Sequence, residues 1–136
     1  MIRIVVDTNV YISALVFGGK PALALQEVEA RGIQLVASRE LEWELVETLT
    51  DKFGWPAEQV REACERLWHA AYWSSPEPLT DVVRDPDDNH VIAASLESDA
   101  QFIVTGDRDL LTLESFNGIP ILTPAAFLEH LRGQSR

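Results

Sequence analysis

The sequence predicts an α/β fold in which helices cover both faces of a parallel sheet, and three observations carry that prediction. Strand-like and helix-like segments alternate along the whole chain. The strand-like runs are short and apolar, Ile2-Arg3-Ile4-Val5-Val6 above all, as in strands buried on both faces. The 136 residues are 46% hydrophobic and 24% charged, which suits one globular domain spanning residues 1–136. There is no internal repeat and no low-complexity tract.

The elements follow in order. Ile2 to Val6 is the first strand, stopped by Asp7-Thr8-Asn9, and Val10 to Phe17 reads as a short helix ending at Gly18-Gly19. Pro21 opens a helix to about Ala30, closed by Gly32. Ile33 to Ala37 is the second strand, and Ser38 is placed to cap a helix reaching about Phe53, with Gly54 beyond it. Pro56 suits the first turn of a helix expected to run to Trp73, with Val60, Cys64, Leu67 and Ala71 as its core stripe. A loop containing Pro76 and Pro78 leads to a short strand within Leu79–Val83, and Asp85-Pro86-Asp87-Asp88 opens a helix through Ser98. Gln101 to Thr105 is a strand, Asp107 to Leu113 a short helix, Ile119 to Leu122 the last strand, and Thr123-Pro124 caps a final helix to Leu131.

Composition narrows the function. A single cysteine, Cys64, excludes an intramolecular disulfide framework and a cysteine-based zinc site. The first strand begins too early for a signal peptide, and the apolar runs are too short to span a bilayer, so a cytoplasmic protein without membrane contact is expected. With 22 Asp and Glu against 11 Lys and Arg, the formal charge is −11. That surplus argues against a passive nucleic-acid binder, which normally offers a basic face.

The placement of the acids says more than their number. In a doubly wound sheet, ligands bind beyond the carboxyl ends of the strands, near the switch in strand order. Asp7 follows the first strand, Asp107 and Asp109 follow the 101–105 strand, and Asp85, Asp87 and Asp88 begin the helix after the 79–83 segment. Glu40, Glu42, Glu44 and Glu47 lie on the helix after strand two. Singly, each aspartate is also a good helix N-cap. Together at one end of the sheet they would repel each other unless a divalent cation joined them. Hard Mg2+ or Mn2+ takes oxygen ligands and substrate phosphate, and the chemistry that follows is phosphodiester hydrolysis. Helical periodicity puts Glu40, Glu44 and Glu47 on one side but does not choose among the glutamates.

Four segments, in this order, resemble the PIN-domain family: Val5-Val6-Asp7-Thr8-Asn9-Val10, Ser38-Arg39-Glu40-Leu41 with Glu44-Leu45, Arg84-Asp85-Pro86-Asp87-Asp88-Asn89, and Val104-Thr105-Gly106-Asp107-Arg108-Asp109-Leu110-Leu111. More narrowly, the chain is similar to toxin components of bacterial toxin–antitoxin systems, relatives of the VapC ribonucleases. The resemblance implies a three-layer α/β/α sandwich and a Mg2+- or Mn2+-dependent endoribonuclease acting on single-stranded RNA. It carries the family's four acids to Asp7, Glu44, Asp88 and Asp107, and so selects Glu44 over Glu42. Asn9 and Thr105 match supporting polar positions, and Asp109 an additional acid near the metal. The third acid departs from many VapC-type sequences, because Asn89 holds the usual position; Asp88 is assigned, with Asp85 as its alternative. The resemblance also implies a homodimer and a small antitoxin partner.

Lys20, Arg39, Arg84 and Arg108 stand near the acid motifs and are candidates for contacts to RNA phosphates. His90 is read as a packing or surface residue, and Trp55, Trp68, Tyr72 and Trp73 as core, with a partner surface as the rival. A catalytically weak PIN-fold module that binds RNA or protein is the alternative function. A phosphorylated receiver domain is excluded, because the last strand is followed by Thr123-Pro124 and the only lysines are Lys20 and Lys52.

Overall fold

Alternation along the first strand sets the layers. In β1 (Arg3–Val6), Ile4 and Val6 point to one face and Val5 to the other, and all three are buried. The computed structural model describes residues 2–75 and 89–133. After β1 come α1 (Thr8–Val16), α2 (Gly19–Ala30), β2 (Gln34–Ser38), α3 (Arg39–Glu47), α4 (Ala57–Trp68) and β3 (Tyr72–Ser74). The second described stretch holds α5 (Asn89–Glu97), β4 (Phe102–Val104), α6 (Arg108–Leu111), β5 (Ser115–Phe116), β6 (Ile119–Leu122) and α7 (Pro124–Gly133).

The strand order is β3-β2-β1-β4-β6-β5, parallel throughout except for the last pair. One face of the sheet packs Ile4, Val6, Ala37 and Val104 against α1, α2, α4 and α7 through Val10, Val28, Val60 and Phe127. The opposite face packs Val5, Val36 and Ile103 against Ile92 of α5 and Leu110 of α6. This is the expected helix–sheet–helix sandwich. The chain steps outward through β2 and β3, then returns to the other side of β1 with β4. The switch in strand order therefore lies between β1 and β4.

Most elements stand where the sequence puts them. Ser38 caps α3 by accepting from the Leu41 N–H at 3.2 Å, and Thr123 does the same for Ala126 at 3.0 Å. Gly18 and Gly19, at φ of 84° and 65°, make the bend between α1 and α2 that residues with a Cβ rarely adopt. Four readings need correction. The helix after Ser38 ends at Glu47 and continues to Lys52 only as a π-helical turn. The helix after Pro56 stops at Trp68 rather than Trp73, because the chain reverses at 69–71 and Tyr72–Ser74 pairs with Val36–Ser38. Ala71 therefore falls outside the helix whose core stripe it was expected to extend. Lastly, β5 makes the sheet mixed, turning back on β6 through Asn117-Gly118, both at positive φ. The strand read within Leu79–Val83 and the start of the helix at Asp85 lie outside the described residues.

β3 is fastened at its side chains as well as its backbone. Glu97 of α5 accepts from the Ser74 hydroxyl at 2.6 Å and the Tyr72 hydroxyl at 2.9 Å, and the Arg3 guanidinium lies 4.0 Å from the centre of the Tyr72 ring. The Ser74 and Tyr72 bonds hold the Glu97 carboxyl below its ordinary pKa of 4.5. A depressed folded pKa gives stability that is present above the unfolded value and lost as pH falls through the folded one. Glu97→Gln is thus expected to lower the urea midpoint at pH 7, by less than about 1 kcal/mol given its exposure, and to converge on wild type as the pH falls below the ordinary carboxylate range. Parallel curves for the two proteins across that range would remove Glu97 from the account.

Candidate active site

Asp7 ends β1 at the switch in strand order, and two structural duties fix it there. Its N–H donates to the Val104 carbonyl at 2.9 Å, extending the β1–β4 ladder. Its carboxylate caps α1, with Oδ1 accepting from the Thr8 N–H at 2.7 Å. The capping role is real, but it employs only one oxygen. Oδ2 accepts from the Thr105 hydroxyl at 2.8 Å and from Asn9 Nδ2 at 3.3 Å. Asp7 is 5% exposed. Burial pushes its pKa above the usual carboxylate range; the Thr105 and Thr8 bonds pull it back, the Glu44 charge adds to the rise, and His90 opposes it.

Thr105 links Asp7 to the next acid. Its buried hydroxyl donates to Asp7 and accepts from the Asp107 N–H at 2.9 Å. Asp107 then caps α6, with Oδ1 accepting from the Asp109 N–H at 2.7 Å and the Leu110 N–H at 3.4 Å. Asn9 ties the same two loops, its Oδ1 accepting from the Gly106 N–H at 3.2 Å. Asp109 contributes its backbone to this turn and keeps a half-buried side chain beside it.

On the other flank, the Thr8 hydroxyl donates to Glu44 Oε1 at 3.0 Å. Glu44 is therefore the glutamate of α3 that the fold joins to Asp7, a choice that periodicity had left open. The same oxygen lies 2.7 Å from His90 Nε2 of α5. His90 is the residue that sequence reasoning passed over. Its position directly after the acid motif, in the first turn of α5, was the available signal. Burial alone would lower the His90 pKa, but the Glu44 bond and charge, with Asp7 and Glu40, carry it above the ordinary value. Its Nδ1 is buried and has no hydrogen-bond partner among the described residues.

The basic candidates divide. Arg39 is exposed at the start of α3 and lines an open cleft of about 700 Å³ together with Glu44 and His90. Arg108 is exposed at the start of α6, next to Asp107. Lys20 lies beyond the far end of α1, about 13 Å of helix away from Asp7, and is not brought to the acids. Arg84, Asp85 and Asp88 lie outside the described residues, so the third acid has no described position.

The family model of the PIN domain matches residues 3–109. The chain belongs to the PIN-domain family. PIN domains are in general nucleases that use divalent metal ions. This PIN domain is 28% identical over 141 residues to the uncharacterized protein MJ1680 of Methanocaldococcus jannaschii, covering 94% of this chain and 90% of that protein. Its fold is similar to that in the crystal structure of FitAcB from Neisseria gonorrhoeae, with a TM-score of 0.60 at 14% identity. That likeness covers 90% of this chain and 98% of the solved one. Among the described residues no helix is long and apolar enough to cross a membrane.

The donor chemistry of this PIN domain suits a hard cation. Asp7, Glu44 and Asp107 offer carboxylate oxygens only, and the buried Asp7 carboxylate is costly to ionise without a positive partner. Among the described residues no three acid, histidine or cysteine side chains form a closed ligand cluster. Hydroxyl and amide bridges hold the three acids in a row instead.

Proposed function

We propose that this PIN domain is a Mg2+- or Mn2+-dependent endoribonuclease that hydrolyses single-stranded RNA in the cytoplasm, as the toxin of a toxin–antitoxin pair. One observation supports it above the others: at the β1/β4 switch, Thr8 and Thr105 couple a buried aspartate to an acid on either side. Asp7, Glu44 and Asp107, with Asp88 by family resemblance, are the residues that would hold the ion. When bound, the ion supplies an activated water and offsets charge at the scissile phosphate.

The protein's own part is orientation. Thr105, Asn9 and the Thr8 N–H fix both oxygens of Asp7 before any ligand arrives. Thr8 and His90 both meet Oε1 of Glu44 and fix its rotamer. Asp107 is held by the turn that starts α6. Arg39 and Arg108 stand where RNA phosphates would approach.

The test is cleavage of a single-stranded RNA with Mn2+, with Mg2+ and with EDTA. Cleavage is expected with either ion and absent with EDTA, and the fragments should carry 5′-phosphate and 3′-hydroxyl ends. Cleavage that persists in EDTA, or 2′,3′-cyclic ends, would overturn the metal mechanism. The second reading, a binding module, draws on the absence of a closed ligand cluster among the described residues. It predicts metal-independent RNA binding and no cleavage. A small neighbouring gene with a DNA-binding pattern would support the toxin role, and homodimer formation is checked by sedimentation.

A further inference from the structure

One wall of the cleft beside Glu44 is an indole with no ring partner or hydrogen bond among the described residues. Trp43 is 64% exposed in the middle of α3, while Leu41, Leu45 and Leu49 (at four-residue steps) are fully buried and anchor that segment. The other exposed aromatics have ring partners: Phe17 packs edge-on against Phe53, and Trp73 against Trp68. Trp43 has none among the described residues. It lines the same cleft as Arg39, Glu44 and His90, with Val46 extending its apolar floor. Arg39, four residues earlier, stands over the same side of the helix.

We propose that Trp43 is a stacking platform for a nucleobase adjacent to the scissile phosphate, with Arg39 holding the neighbouring phosphate; this rests on the ribonuclease reading above. Charge favours a base over other occupants of that wall. With a net charge of −11, the protein gains little from general attraction to the RNA backbone, so affinity has to come from contacts that do not depend on charge. Stacking on an aromatic ring is such a contact, and it tolerates any base. The nearby acids Glu40 and Glu42 disfavour phosphate except where Arg39 offsets them, and do not disfavour a neutral ring face. The strand is thereby oriented with its base on Trp43 and its phosphates toward Arg39 and the acids of the site.

The experiment compares wild type, Trp43→Ala, Trp43→Phe and, as a remote exposed aromatic, Phe17→Ala. Binding of a fluorescently labelled single-stranded octaribonucleotide is measured by anisotropy in EDTA, where no metal-dependent cleavage intervenes. Trp43→Ala is expected to weaken binding roughly 5- to 150-fold, Trp43→Phe by no more than about threefold, and Phe17→Ala not at all. With Mn2+, Trp43→Ala should raise KM by a similar factor and leave kcat at saturating RNA nearly unchanged. Wild-type binding and KM in Trp43→Ala would overturn the stacking role while leaving the nuclease reading intact. Unchanged RNA binding with an altered sedimentation coefficient would also overturn it, assigning the face to a second copy of the chain. A wild type that neither binds nor cleaves RNA would overturn both readings together.

Discussion

Asparagine in place of Asp7 is expected to abolish RNA cleavage, by at least about 10³-fold, while leaving the protein folded and more resistant to heat by a few degrees in EDTA. The two effects have one cause. A carboxylate held 5% exposed at this position keeps its proton more tightly in the folded than in the unfolded chain. Below both pKa values Asp7 contributes nothing; as pH rises through the unfolded and then the folded value, its ionisation opposes folding. A neutral amide escapes that cost, while its carbonyl still accepts from Thr8 N–H and its NH2 can donate to a rotated Thr105 hydroxyl. Thermal melts at pH 7 and pH 4 check the sign, since the gain should shrink at the lower pH. Mn2+ should raise the melting temperature of wild type and not of Asp7→Asn. Wild-type cleavage by the variant would remove Asp7 from the site.

The largest stability loss is expected from Trp68→Ala. Trp68 and Tyr11 are both buried, their rings meet edge to face with centroids 5.4 Å apart, and the indole N–H donates to the Tyr11 hydroxyl at 3.0 Å. This pair joins the end of α4 to α1, the helix that Asp7 caps. Truncation leaves a cavity and costs about 3–5 kcal/mol. Tyr11→Phe keeps the packing but strands the indole donor, at about 1–3 kcal/mol. Because the two residues share one contact, the double variant should lose less than the sum of the singles. Urea unfolding of the four proteins measures this; strict additivity would mean that the bond contributes nothing beyond packing.

The sequence made most of this fold legible, and the failures have physical reasons. Buried strands such as Ile2–Val6 and capped helices such as that after Ser38 carry strong local signals, and both appear where expected. The strand at Tyr72–Ser74 did not, because no glycine or proline marks the end of the preceding helix. Three residues are also too few to show alternation. The hairpin that forms β5 did leave a mark, the Asn117-Gly118 dipeptide of tight turns, but its strand is only two residues long. At the site, helical periodicity could not separate Glu44 from Glu42. What joins Glu44 to Asp7 is a hydroxyl on another helix, that of Thr8, a contact that helical periodicity does not show. His90 stood beside the acid motif, but its bond to Glu44 was not legible, since that partner lies 46 residues earlier on α3 and the packing of α5 against that helix joins them. Net charge was the poorest guide: the proposed site rests on a few acids at the switch in strand order, and among the described residues most of the other acids are exposed on helices.

The brevity of the outer strands bears on how copies of this protein can associate. The described sheet ends in β3, three residues long, on one side and β5, two residues long, on the other. Strand addition needs a run of free backbone donors and acceptors, and these margins offer only a couple of rungs. Those two described margins are thereby poorly suited to strand addition, and mutual repulsion at −11 discourages it further. A partner that docks away from those margins meets helical surfaces, where contact is made by side chains and can be altered without disturbing the sheet that holds Asp7 in place.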